Sequence, residues 1–243
     1  MDNLKVTSKS SISNNIPSSK ELGDHERTSK FLLSSFEQKV LPPLAAWLPR
    51  SIKPDHMTVL GLVAATCVGI TYILSKSDIR WLYLTCFFII MNWFGDSLDG
   101  TLARIRKAER PRYGFYLDHI TDAYSTLVIG IGLGLSPFMT LAIAFALVIA
   151  YLLLSINVYL ETHVLRKFKS SYGKFGPTEI RIMLIILNIL ALVQGIIPIE
   201  LFSIKITLFD IIGFFAALGM LILLLDRTFR NLKILSEEEP PRA

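Results

Sequence analysis

Six apolar segments dominate this chain of 243 residues, each close to the ~20 residues an α-helix needs to cross a hydrocarbon core. They run over 57–74, 79–94, 115–135, 138–160, 180–197 and 208–225, separated by turn-forming stretches such as Ser136-Pro137 and Gly195 to Pro198. Lipid offers a peptide group no hydrogen-bond partner, so each segment has to close its own bonds as a helix. The expected fold is therefore all-α: a polytopic membrane protein with six transmembrane helices. Composition excludes the main competitors. With 52% hydrophobic and 19% charged residues and a mean hydropathy of +0.50, the chain is too apolar for an ordinary soluble domain. The same figures rule out disorder of the whole chain. Its two cysteines, Cys67 and Cys86, lie inside apolar runs, so they read as small core residues rather than a disulfide framework.

The ends differ from the middle. Residues 1–29 are rich in Ser, Lys and Asn, contain no apolar stretch of the kind a secretory signal needs, and are expected to form a disordered polar tail. Over 30–53, the residues Phe31, Leu32, Phe36, Val40, Leu44, Trp47 and Leu48 recur at roughly helical spacing, interrupted by Pro42, Pro43 and Pro49. This predicts a broken amphipathic helix lying in the membrane interface; the alternative is an ordinary linker. Residues 54–235 then form the six-helix domain, and 236–243 a C-terminal tail.

Charge sets the expected orientation. Of the 25 Lys and Arg, 22 fall before the first segment, between the second and third, around the loop between the fourth and fifth, or after the sixth. The other 3, Lys76, Arg80 and Lys205, fall on the opposite side. The positive-inside rule therefore puts both termini and both basic loops in the cytoplasm. The net charge of +5 is thus a topology signal and a contact for anionic lipid, with no nucleic-acid partner expected. No internal repeat suggests a transporter.

The chemistry lies where the second and third segments meet. Asp96, Asp99 and Ala103 stand at i, i+3 and i+7 of one helix, and Asp118 and Asp122 at i and i+4 of the next. An acidic pair at the end of a span is commonly an interface marker or half of a salt bridge. Four aspartates converging from two antiparallel helices are another matter, because that much negative charge near a membrane needs neutralising. Arg104 can meet one carboxylate. For the rest, hard divalent cations with oxygen ligands are the natural partners, Mg²⁺ or Mn²⁺. Two such ions suit displacement of one oxygen by another at phosphorus. Gly100, Ala103 and Gly114 leave room for a bulky group beside them.

The stretch from Asp96 to Asp122 resembles the signature of the CDP-alcohol phosphotransferase (CDP-alcohol phosphatidyltransferase) family, D-x2-D-G-x2-A-R-x8/9-G-x3-D-x3-D. All eight fixed positions are met, with nine residues between Arg104 and Gly114. The resemblance implies six spans over about residues 50–230. It implies two divalent metal ions held by Asp96, Asp99, Asp118 and Asp122, with Asp122 also the catalytic base that takes the acceptor hydroxyl proton. A carboxylate with a pKa of about 4 is a weak base, so that role needs a hydroxyl already acidified by the metals. Gly100, Ala103, Arg104 and Gly114 would line the CDP site. The family's P-N-x-x-T element matches Pro54-Asp55-His56-Met57-Thr58, which adds Asp55 and Thr58 to the nucleotide contacts, with Asp55 replacing the common Asn.

The motif fixes the reaction class and leaves the substrate pair open. The favoured reading is CDP-diacylglycerol as donor, a small and often phosphorylated alcohol as acceptor, and release of CMP in phospholipid biosynthesis. Arg166, Lys167, Lys169, Lys174 and Arg181 are candidate cations for an acceptor phosphate, Arg181 the best placed; each is alternatively a topology charge. Two features favour a CDP-choline or CDP-ethanolamine enzyme acting on diacylglycerol: Leu117-Asp118-His119 and Gly176-Pro177-Thr178-Glu179 resemble elements of those enzymes. Glu179 would then face an ammonium group, with His119 nearby, although Glu179 equally suits the positive end of a helix dipole. His25, His56 and His163 have no ligand partners at metal spacing. A non-enzymatic divalent-cation carrier using the same aspartates is the remaining alternative. The resemblance also implies a homodimer, and the expected location is a bacterial inner membrane, with the active site on the cytoplasmic side.

Overall fold

The computed structural model describes residues 33–165, 176–196, 198–201 and 204–239. Among them are seven helices: α1 (Ser34–Trp47), α2 (Pro54–Leu74), α3 (Trp81–Ile105), α4 (Pro111–Gly134), α5 (Leu141–Leu165), α6 (Pro177–Gln194) and α7 (Leu208–Glu238). A ribbon of two antiparallel three-residue strands, β1 (Ile199–Leu201) and β2 (Ile204–Ile206), joins α6 to α7 and is absent from the sequence-based expectation.

Local chemistry sets the boundaries. Pro54, Pro111 and Pro177 open their helices, where a missing N–H costs nothing. His56 Nδ1 accepts from Lys53 N at 3.2 Å at the start of α2. At the start of α7, Asp210 N donates to Thr207 Oγ1 at 3.2 Å, and Thr207 N donates to Asp210 Oδ2 at 2.9 Å, a reciprocal capping box. Gly195, at φ +73°, ends α6 in a backbone conformation that favours glycine.

By length and composition α2, α5, α6 and α7 can each cross a membrane. At 25 and 24 residues, α3 and α4 are also long enough, about 36 Å at 1.5 Å per residue. Polar residues, among them Asn92, Asp96 and Asp99 in α3 and Asp118, His119 and Asp122 in α4, dilute their apolar content. Four of the six expected spans are thus apolar enough to span, and the two that carry the acidic motif have the length without the composition.

The centre of the bundle is α2, against which both α3 and α4 pack. Backbone meets backbone at these crossings. A Cβ on Gly95 would lie 2.5 Å from Gly61 N, and one on Gly132 would lie 2.4 Å from Gly69 Cα. The main core gathers Val68, Tyr72, Leu82, Ile89, Leu133, Phe138, Leu187 and Phe209. Its one phenol is satisfied, since Tyr72 donates to Asn188 Oδ1 at 3.0 Å. On the far flank, α5 and α7 pack together and are joined by the ion pair Glu161–Arg227.

A second core lies between α1 and the last turns of α3, built from Leu41, Ala45, Met57, Leu98 and Leu102. It accounts for a departure from expectation: α1 runs unbroken through Pro42 and Pro43. Each proline removes a backbone donor, but Leu41 and Ala45, four residues apart on one face, are 7% and 1% exposed, and their packing holds the turn together. The expected polar tail, and residues 30–32 of the expected amphipathic segment, lie outside the described residues.

Candidate active site

The four aspartates come from two helices that each pack principally on α2 rather than on one another. Glycine contacts draw both helices close onto that axle, Gly95 against Gly61 and Gly132 against Gly69. Asp122 is within electrostatic reach of Asp96, Asp118 and Asp99, and also of Arg181. Asp99 in turn feels Asp96 and Asp118. A small cleft beside them is bounded by Thr58 and Gly61 of α2, Asn92 and Asp96 of α3, and Thr121 and Ser125 of α4. Shared packing on a third helix thus brings α3 and α4 to the two sides of one cleft, with Asp96 at its edge.

Each carboxylate of α3 is held. Asp96 Oδ2 accepts from Arg181 Nη2 at 2.8 Å, while Arg181 Nε donates to Asn92 Oδ1 at 2.9 Å. Asn92 is itself fixed, because its Nδ2 donates to the carbonyl of Gly61 at 2.9 Å. Asp99 Oδ2 accepts from Thr58 Oγ1 at 2.7 Å, and its Oδ1 from the Gly100 N–H at 2.5 Å. On α4, Asp118 lies beside His119 at 3.7 Å. Sequence reasoning missed Asn92; its place one turn before Asp96, at i and i+4, was the available signal.

The remaining candidates are distributed as follows. Asp55 forms an ion pair with Arg110, at 2.5 Å, at the start of α2. Gly100 has open space, as its Cβ would meet Arg104 Nη1 at 3.4 Å, and a Cβ on Gly114 would meet nothing within 4 Å. Ala103 lies on the same helix, one residue before Arg104, whose Nη2 donates to Thr101 Oγ1 at 3.0 Å. Glu179 is occupied at the head of α6: its Oε2 accepts from Gly176 N at 2.9 Å and its Oε1 from Leu33 N at 2.8 Å. His119 Nδ1 lies 2.6 Å from Phe115 O, with the ring stacked on Phe115 and against the edge of Tyr159. Arg166, Lys167, Lys169 and Lys174 lie outside the described residues.

Among the described residues, no three His, Cys, Asp or Glu side chains converge closely enough to hold a metal ion as they stand. The donor set nevertheless fits a hard divalent cation. It is all oxygen, four carboxylates with the Thr58 and Thr121 hydroxyls beside them, and contains no thiolate. Of the four carboxylates, Asp96 is ion-paired with Arg181, and gathering the others near a membrane calls for added positive charge of the kind a cation supplies.

A family model described as CDP-alcohol phosphatidyltransferase matches residues 51–225. The match takes in α2 to α6, most of α7, the acidic motif, Thr58 and Arg181, and leaves α1 outside.

Proposed function

Since this chain belongs to the CDP-alcohol phosphatidyltransferase family, we propose that it transfers a phosphatidyl group from CDP-diacylglycerol to the hydroxyl of a small polar alcohol. The acceptor oxygen forms a bond to the phosphorus distal to cytidine, the bond from that phosphorus to the CMP oxygen breaks, and CMP leaves. The acceptor proton passes to Asp122. Mg²⁺ or Mn²⁺, held by Asp96, Asp99, Asp118 and Asp122, would screen the diphosphate and stabilise the entering and departing oxygens. Thr58 orients Asp99, and Arg181 with Asn92 orients Asp96. Gly100, Ala103, Arg104, Gly114 and Asp55 border the room for the nucleotide. The observation that carries this reading is the family match over residues 51–225, which takes in all four aspartates, the Thr58–Asp99 bond and the Arg181–Asp96 pair.

The bias of basic residues supports a reading in which this site and both termini lie at the cytoplasmic face of a six-span protein, with α1 in the interface. A lipid donor then enters sideways from the bilayer and a soluble alcohol from below. The two oxygens of Glu179 are already engaged by backbone N–H groups, which favours the CDP-diacylglycerol reading over transfer from a CDP-aminoalcohol.

The test is CMP release by the purified protein with Mg²⁺ or Mn²⁺. One arm supplies CDP-diacylglycerol with polar alcohols, the other CDP-choline or CDP-ethanolamine with diacylglycerol. Release in the first arm, abolished by chelation and by Asp122→Asn in protein that still reaches the membrane, is the expected result. Release in the second arm alone overturns the donor. Normal turnover by Asp122→Asn removes the role given to that residue, and metal uptake without CMP release from either donor would favour a cation carrier.

A further inference from the structure

Glu37 lies on α1, outside the stretch matched by the family model, yet a single oxygen of its carboxylate joins the two helices that hold the Arg181–Asp96 pair. Its Oε1 accepts from Trp93 Nε1 of α3 at 3.1 Å and from Thr178 Oγ1 of α6 at 2.5 Å. Trp93 stands at i−3 from Asp96, and Thr178 at i−3 from Arg181. Both bonds therefore fall one helical turn from the ion pair, one on each side of the α3–α6 crossing.

The rest of α1 is fastened too. Leu33 N donates to Glu179 Oε1 at 2.8 Å, a second tie to the head of α6. Leu41 and Ala45 are buried against Leu98 and Leu102, which are interleaved with Asp99 and Ala103 on α3. Beyond the C-terminal end of α1, the Arg106 guanidinium donates to the carbonyls of Leu48, Pro49 and Ile52. A carboxylate inserted between two helices and reached by an indole N–H and a hydroxyl is directional, so it fixes their relative height as well as their distance.

We infer that Glu37 is a positioning residue: by bridging Trp93 and Thr178 it sets the height of α6 against α3, and so the meeting of Arg181 with Asp96 in the reaction proposed above. The inference rests on that proposed reaction for its kinetic consequence and on the geometry of α1, α3 and α6 for the rest. It makes the interfacial helix part of the site's scaffold, so that a displacement of α1 at the membrane surface is felt at the metal ligands.

Glu37→Gln keeps the oxygen that accepts both bonds, and Glu37→Ala removes it. Thr178→Val deletes one donor with little change of shape. Removing a hydrogen bond to a charged group corresponds to roughly 10-fold or more in rate if it acts at the transition state. Glu37→Ala is expected to lower kcat about 10-fold, with the KM for the donor changed less than about 2-fold. Thr178→Val should lower kcat in the same direction, and Glu37→Gln should retain at least about half of wild-type kcat. A second readout does not depend on turnover. In full-length protein carrying Trp47→Phe and Trp81→Phe, Trp93 is the remaining tryptophan, and quenching of its emission by added Mn²⁺ reports ion binding next to Asp96. Glu37→Ala should weaken that titration several-fold and Glu37→Gln should not. The inference is overturned if Glu37→Ala keeps wild-type kcat and Mn²⁺ response, if Gln and Ala fall alike, or if Thr178→Val leaves kcat unchanged. Should the wild-type protein release no CMP from any donor while the Mn²⁺ response still separates Ala from Gln, the proposed reaction falls and the positioning role stands.

Discussion

Arg181 reaches from α6 to α3 and sets its Nη2 2.8 Å from Asp96 Oδ2, while its Nε donates to Asn92 Oδ1 at 2.9 Å. Both side chains of the ion pair are largely withdrawn from solvent, at 15% and 24% exposure. The pair thus fixes the place of Asp96 at the edge of the cleft between α2, α3 and α4. Two directed bonds at a set angle suit a planar guanidinium and not a lysine ammonium. Arg181→Lys is expected to lower the rate of CMP release about 10-fold, and Arg181→Ala about 100-fold, since bonds to charged groups contribute about 1.5–3 kcal/mol each. Steady-state kinetics with separate KM values for donor and acceptor provide the measurement. Wild-type kinetics in Arg181→Lys would mean that the fork is not used.

How much of this was legible in sequence depends on the range over which each feature is determined. Spacing within a helix is local, so the shared faces of Asp96 with Asp99 and of Asp118 with Asp122 could be read directly. Helix existence followed from apolar length, but the helices begin at Pro54, Pro111 and Pro177, ahead of the apolar segments at 57, 115 and 180, because a first helical turn can be polar. Partner choice is not local. Sequence offered Arg104 as the cation for the aspartates and Arg181 for an acceptor phosphate, yet it is Arg181 whose ion pair to Asp96 the fold makes, across 85 positions of chain. The continuity of α1 through Pro42 and Pro43 was hidden for the same reason. Its support comes from Leu98 and Leu102, far along the chain.

Thr58 offers a test of how Asp99 is oriented. Its hydroxyl donates to Asp99 Oδ2 at 2.7 Å from the neighbouring helix. Thr58→Val removes the donor at nearly constant shape and should cost about 1.5–3 kcal/mol of interaction, seen as a rate reduced at least about 10-fold. A raised Mn²⁺ requirement should accompany the loss. Thr58→Ser keeps the hydroxyl and should recover most of the activity. Equal activity in the Val and Ser variants would show that Asp99 needs no such guide.

Asp210 carries a stability prediction remote from the acidic motif. It is 3% exposed and its oxygens accept from Thr140 N at 2.7 Å, Thr140 Oγ1 at 2.9 Å and Thr207 N at 2.9 Å. It therefore caps α7 and ties it to the turn before α5. Asp210→Ala leaves several buried donors without acceptors, each costing about 1–3 kcal/mol. The thermal midpoint in detergent should drop, by more than for Asp210→Asn, which retains one carbonyl oxygen. Protein that remains folded should still bind Mn²⁺, because the tie is structural.

Two glycines of α3 separate packing from chemistry. At Gly95, next to Asp96, a Cβ would meet Gly61 N at 2.5 Å and Met57 O at 2.6 Å, both backbone atoms that cannot swing aside. Gly95→Ala must then push α2 from α3, and overpacking of this kind costs about 1–3 kcal/mol or more. Because α2 also carries Thr58 and the Gly61 carbonyl that fixes Asn92, the displacement reaches both aspartates of α3. Little folded protein should be recovered, and what is recovered should be inactive. At Gly100 a Cβ would meet the end of the Arg104 side chain at 3.4 Å, a flexible group that can give way. Gly100→Ala should therefore fold with a near-normal thermal midpoint and lose activity through a raised KM for the CDP-alcohol. If instead it folds and turns over with an unchanged donor KM, the space beside Gly100 is not where the nucleotide lies.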